Sequence, residues 1–436
     1  MTFSIFENLE SEVRSYCRSF PALFASAKNE IIYDENGSEY LDFFSGAGSV
    51  NYGHNDADMV SAAIKYLQDN GIIQGMDMYT TQKEKFISAF NQHILIPRSL
   101  DYKIQFTGPT GTNAVEAALK LARKITGRHT VACFTGGYHG MSLGALAVTA
   151  NDSKRKLTGV QMPGVLRLPY DQFSFGDHET QINFLRDMLC HPGSGVELPA
   201  AFILECVQGE GGLNCASAEW LQGIAKLAKD IGALLIIDDI QAGCGRTGDF
   251  FSFEFSGIKP DIVCLSKSLS GSGLPMSVNL ISRQYDCWLP GEHNGTFRGN
   301  NLAMVTATVA LEKFWSNDVL SRKVRSDYHV LSTFLTEKLN DLNVPAVVCG
   351  RGLMIGMKFA DNTFAKKLSK RLFEKQLIIE TCGPRDEVLK CMPALTVSRE
   401  QLLNGANFII SVIKETLADS ACERKLNSEV AQQELL

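Results

Sequence analysis

Three short, almost wholly apolar runs restrict what this chain can fold into: Ala200-Ala-Phe-Ile-Leu-Glu205, Ala233-Leu-Leu-Ile-Ile-Asp238 and Asp261-Ile-Val-Cys-Leu-Ser266. A run of this length without polar alternation reads as a strand buried on both faces. Helical periodicity near 115–126 and 219–231 separates such runs. The alternation predicts an α/β fold, a mostly parallel mixed sheet flanked by helices, over a large domain at 55–305. Residues 1–54 carry a starting helix, a hairpin over Ile31–Phe44 turning at Asn36-Gly37, and a small-residue loop, Ser45–His54, able to approach a ligand closely. Beyond residue 306 come a long helical stretch and strand-like runs at Ala346–Cys349, Gly356–Phe359 and Leu377–Glu380. With residues 1–54, residues 306–436 are expected to form a smaller α+β domain, its tail from Asp419 a frayed helix.

Charge and composition remove several function classes. A net charge of −6 gives no reason to expect nucleic acid or an anionic membrane as partner. No secretory signal or spanning segment is legible, so the cytoplasm is the expected compartment. The 12 cysteines form no C-x-x-C pair and the 8 histidines no H-E-x-x-H, so neither a disulfide framework nor a catalytic metal is expected.

Chemistry concentrates where apolar runs stop. Lys267 directly follows a buried strand, and in a dry pocket its amine would lose its proton and attack a carbonyl to form a Schiff base. Asp238 ends another apolar strand and needs a positive partner or several hydrogen bonds; a pyridinium N–H would serve. Asp239 must face the opposite way, so only one of the two can serve. The stretch Phe106-Thr-Gly-Pro-Thr-Gly-Thr-Asn113 runs into a helix with Val115, Ala118, Leu119 and Ala122 on its apolar face. Its first amides, with the Thr110 and Thr112 hydroxyls, make a cup for one phosphate, while matching neither a P-loop nor G-x-G-x-x-G. In Thr135-Gly-Gly-Tyr-His-Gly140, Tyr138 is placed to stack on a planar ring. Each feature has a plainer reading as a solvated lysine, a capped helix, a glycine turn or a structural aspartate. Together they are the set that pyridoxal 5′-phosphate (PLP) requires.

With those residues in view the chain resembles the class III aminotransferases of PLP fold type I. The resemblance rests on Asp238-Asp-Ile-Gln-Ala-Gly-Cys-Gly-Arg-Thr-Gly248, Ser266-Lys267-Ser268, Val207-Gln-Gly-Glu-Gly-Gly212 and Gly295-Thr-Phe-Arg-Gly-Asn300. Leu9–Phe20, Gly46–His54, Gly108–Ala118 and Leu377–Thr381 are most similar to the branch that moves an amino group from L-glutamate to L-aspartate 4-semialdehyde, supplying 2,4-diaminobutyrate for ectoine synthesis. Gln74 and Gly137-Tyr138 depart from that branch's pattern.

The resemblance implies roles. Lys267 is the Schiff-base and proton-shuttling lysine. Asp238 pairs with the ring nitrogen, Gln241 lies near the 3′-oxygen and Tyr138 covers a ring face. Gly111 and Thr112 bind the phosphate, with Thr296 of a neighbouring subunit, so a homodimer or higher homo-oligomer is implied. Glu210 matches a glutamate that pairs with an arginine when an ω-amine is bound and releases it for a carboxylate; here Lys390 stands in the arginine's place. Four alternatives stay open: another ω-aminotransferase of ornithine, 4-aminobutyrate or lysine type, diaminobutyrate supply for a siderophore or peptide pathway, a different PLP reaction such as racemisation, and a binding protein on an inactive scaffold.

Overall fold

A computed structural model of the protein describes residues 4–156, 162–171, 173 and 177–433, with the apolar runs side by side in a seven-stranded sheet. Its order is Tyr102–Phe106, Val278–Ser282, Ile262–Leu265, Leu234–Asp238, Ala201–Leu204, Val131–Phe134 and Val165–Leu168. All neighbours are parallel except that Val278–Ser282 runs antiparallel to the strand on each side. The three runs read from the sequence are buried at every strand position. Alternate residues feed two cores. Ile203, Ile236 and Ile262 meet helix Gly111–Thr126, while Phe202, Leu235, Ile237 and Val263 meet helix Ala218–Asp230. Val115 and Leu119 are fully buried, which stabilises by about 1.5–3 kcal/mol each.

The two ends of the chain share a second sheet. Phe24–Lys28, Ile31–Asp34 and Glu39–Asp42 form a meander, and Leu377–Ile378 adds to it in parallel, Leu377 opposite Leu41. The run expected as one strand over Leu377–Glu380 is split at Ile379. Glu380–Cys382 joins a different, antiparallel sheet with Val388–Cys391, Met354–Phe359 and Ala346–Arg351. The apolar run serves two sheets because each half finds a different open edge. The tail beyond Asp419 belongs to the helix Arg399–Gln433, in keeping with a stretch that lacks glycine and proline.

One buried side chain ties these parts together. Arg246 is fully buried and donates to Asn51 Oδ1 (2.5 Å from Nη2), to Leu353 O (3.1 Å) and to Pro393 O. Burial pushes its guanidinium down to about 10. Among the described residues no helix is long and apolar enough to cross a membrane.

Candidate active site

Parallel α/β sheets place ligands beyond the carboxyl ends of their strands. Asp238 closes strand Leu234–Asp238 opposite Cys264, so Lys267 emerges beside it from the adjacent strand. Lys267 itself has φ 49°. A left-handed conformation costs a non-glycine residue on the order of 1 kcal/mol or more, strain that tends to mark functional positions. Its Nζ donates to Ala47 O at 2.9 Å, and Gln241 Nε2 donates to the same carbonyl at 3.1 Å. That carbonyl belongs to the small-residue loop Ser45–His54, which opens with a left-handed turn, Ser45, Gly46 and Ala47 at φ 49°, 55° and 56°. Burial lowers the pKa of Lys267, opposed by Glu210 and helped by Lys390, which favours a neutral nucleophilic amine.

Asp238 is buried, accepting from His139 Nδ1 at 2.8 Å and from the Ile240 amide at 3.2 Å. Burial disfavours the His139 cation, but the Asp238 hydrogen bond and charge outweigh it and raise its pKa. Asp239 looks away and accepts from the Ser252 amide at 3.0 Å; burial pushes its carboxyl up to about 7. Tyr138 is half-buried, its phenol raised by burial and then by Glu210, Glu205 and Asp238, which places it among those carboxylates. Its amide donates to Glu205 Oε2 at 2.9 Å, and Glu205 Oε1 accepts from the Gly209 amide at 3.1 Å. Glu205 thus pins the loop of Tyr138 and the loop of Glu210 to one strand end.

The helix beginning at Gly111 opens after Thr110, whose side chain makes no capping bond. Among the described residues the amides of Gly111 and Thr112 have no protein acceptor and are left for an anion. Thr112 Oγ1 lies 2.6 Å from Ser142 Oγ, and a Cβ on Gly140 would fall 2.4 Å from it, so the loop after Tyr138 lies flat on the helix start.

Beyond Glu210, Lys390 is fully buried with Nζ 2.8 Å from both Glu210 Oε1 and Glu380 Oε1. Burial alone would raise the Glu210 carboxyl, yet Lys390 holds it below the usual range. Thr296 stands apart on the turn Thr296–Arg298 and makes no hydrogen bond with these groups among the described residues. The single chain therefore gathers Lys267, Asp238, Gln241, Tyr138, Glu210 and Lys390, with Gly111 and Thr112 at the adjoining helix start, but not Thr296.

Sequence reading missed His139, Glu205 and Glu380. Glu205 carried the same signal as Asp238, a carboxylate closing an apolar strand. Glu380 lay in the quoted run Leu377–Thr381, but its partner is set by sheet register. His139 was quoted only as a neighbour of Tyr138.

The arrangement gathers a buried lysine amine, an oriented carboxylate, a helix start with unpaired amides and a half-buried tyrosine. The family profile described as Aminotransferase class-III matches residues 15–413. A diaminobutyrate–2-oxoglutarate transaminase of Halalkalibacterium halodurans is 52% identical over 412 residues, 94% of this chain and 96% of that one. One of the same name from Marinococcus halophilus is 49% identical over 418 residues, 96% of this chain and 97% of that one. Among solved structures, the ornithine aminotransferase of Toxoplasma gondii, described with partial occupancy of PLP at its active site, superposes with a TM-score of 0.82 at 23% identity, covering 96% of this chain and 94% of that one.

Proposed function

The chain belongs to the class III aminotransferases, and from that premise we propose that it transfers the amino group of L-glutamate to L-aspartate 4-semialdehyde, giving L-2,4-diaminobutyrate and 2-oxoglutarate. What carries the substrate reading is the shared name of relatives about half identical over nearly the whole chain. Diaminobutyrate supply for ectoine synthesis, a cytoplasmic location and a homo-oligomer belong to the same proposal, as does the division at about residues 54 and 305. The sheet shared by the two chain ends supports that division.

The cofactor of the family is PLP, and the residues present fit it. Gln241 Oε1 is buried without a hydrogen-bond partner, and the Gly111 and Thr112 amides await an anion. PLP when bound supplies an aldehyde for amines and a protonated ring that draws electrons from the substrate carbon. The chain's own residues do the rest. Lys267, with its pKa lowered by burial, presents an unprotonated amine and moves a proton at the substrate carbon. Asp238, oriented by His139 and the Ile240 amide, would hold the ring nitrogen protonated. Tyr138 would cover one ring face, Gln241 would reach the ring oxygen, and Gly111 and Thr112 would hold the phosphate with Thr296 of a second copy. Glu210, on a loop rich in glycine, is the group placed to leave Lys390 when a substrate carboxylate arrives.

Incubating purified enzyme and PLP with glutamate and aspartate semialdehyde tests the proposal. Diaminobutyrate and 2-oxoglutarate in equal amounts are expected. Faster turnover with ornithine or 4-aminobutyrate as donor to 2-oxoglutarate would move the enzyme to another branch of the class.

A further inference from the structure

Strand Glu380–Cys382 pairs antiparallel with Val388–Cys391 so that Glu380 lies directly opposite Lys390, and directly opposed residues leave a sheet on the same face. On the other side Lys390 faces Gly356, which offers no side chain to compete for the ammonium. The ammonium therefore meets two carboxylates at 2.8 Å, together with Gly209 O at 3.3 Å. A buried lysine needs one counter-charge. A second buried carboxylate adds desolvation and like-charge repulsion, so burying Lys390 does not explain Glu380.

The two carboxylates differ. Glu380 sits within a strand with its side chain 10% exposed, whereas the Glu210 side chain is 32% exposed, on a loop flanked by Gly209 and Gly211. Glu380 Oε1, although close to the ammonium, is out of line for a hydrogen bond and has no other partner. Among the described residues no cation besides Lys390 forms an ion pair with Glu210 or Glu380. With both carboxylates ionised the Lys390 ion-pair cluster carries one negative charge in excess; burial raises the Glu380 carboxyl against this, while Lys390 and, more weakly, Lys267 act to keep it ionised. The Tyr16 phenol, raised by burial and then by Glu380 and Glu210, marks where the cluster approaches the N-terminal segment.

We propose that Glu380 is a specificity-determining residue: it leaves the Lys390 cluster one negative charge in excess and so makes the Lys390 end of the site a subsite for the α-ammonium of a diamino acid. This rests on the proposed reaction, in which the terminal amine is the reacting group and Lys267 moves the proton at its carbon. An ω-amino acid whose far end is a bare carboxylate, such as 4-aminobutyrate, meets the wrong charge. Glutamate enters by exchange, its carboxylate replacing that of Glu210 on Lys390 while Glu380 stays, so the cluster charge is unchanged.

The test is the ratio of kcat/KM for 2,4-diaminobutyrate to that for 4-aminobutyrate, with 2-oxoglutarate as acceptor, in the PLP-loaded enzyme. Glu380→Gln keeps the shape and removes the charge, and should lower the ratio roughly ten- to a hundredfold. The change should fall mainly in KM, rising for diaminobutyrate and falling for 4-aminobutyrate. Glu380→Asp keeps the charge and should hold the ratio within about threefold. Lys390→Met shifts the cluster charge the other way and should raise the ratio, so the proposal stays open to refutation even if Glu380→Gln folds poorly. An unmoved ratio in the Gln and Met variants, or an equal fall in the Asp variant, overturns the role of Glu380 while the reaction stands. Wild-type enzyme that used neither donor would overturn both.

Discussion

At the scale of single residues, Asp238 and Asp239 separate chemistry from scaffold. Asp238 ends the strand beside the one that leads to Lys267 and is oriented by His139; Asp239 is held by Ser252 on the opposite side of the strand. Asp238→Asn should lower kcat by more than about a hundredfold, measured in single turnovers, with Asp239→Asn close to wild type. Equal losses would mean the carboxylates are assigned the wrong way round. Asp239 should instead govern stability against pH. Its folded pKa, raised by burial to about 7, lies above its unfolded value, so its contribution is fully present below the unfolded value and is lost as pH rises through about 7. Asp239→Asn should flatten the fall in Tm between about pH 4 and 7 seen by calorimetry. Strand alternation made it legible that only one of these neighbours can serve, and the resemblance implied Asp238. His139 as the partner of Asp238 was not, because the two lie 99 positions apart and only the packing of the Tyr138 loop brings them together.

At the scale of elements, loops decide what the strands merely present. In the proposed exchange Glu210 is the carboxylate that leaves Lys390, and its place on a loop is what would allow it. Glu210→Ala should spare the glutamate half-reaction and slow the diaminobutyrate half-reaction about ten- to a hundredfold by stopped flow. Matched losses in both directions would remove Glu210 from any exchange. Arg246 shows the opposite use of a loop, fixing three segments at once. Arg246→Met would leave Asn51 Oδ1, Leu353 O and Pro393 O unpaired in the interior. At about 1–3 kcal/mol for each stranded group, urea denaturation should show a loss of at least about 3 kcal/mol. The strands and the helix at Gly111 were readable because burial on both faces and a 3.6-residue period leave marks in sequence. The left-handed turn at Ser45–Ala47 was not, since small residues signal permission for such a turn and not the turn itself. The break at Ile379 also went unread, because an unbroken apolar run carries no sign that its halves belong to different sheets.

At the scale of the whole molecule, Thr296 is the one proposed site residue that the single chain leaves apart. Around it Phe297 is 67% exposed, and Tyr79, whose loop is joined to this region by the bridge between Gln74 and Asn300, is fully exposed. Open aromatic groups beside a proposed site residue mark the place to test for a partner surface. If that partner is a second copy, Phe297→Asp with Tyr79→Asp should shift the enzyme toward monomer in sedimentation and weaken PLP retention together. A monomer that kept full activity would remove Thr296 from the site.

The parallel pairing of Leu377 with Leu41 has a consequence for how this protein is made. The first fifty or so residues leave the ribosome long before the strand that completes their sheet. At about 5–20 residues per second the delay is tens of seconds. The central sheet has all seven of its strands once Ser282 has emerged, so it can fold during that delay. Meanwhile the strand Glu39–Asp42 keeps an open edge, the surface on which a nascent chain is most exposed to mispairing. Each molecule must therefore protect its beginning until its end arrives, and stalled or truncated synthesis before residue 377 should yield chains that chaperones hold and proteases remove.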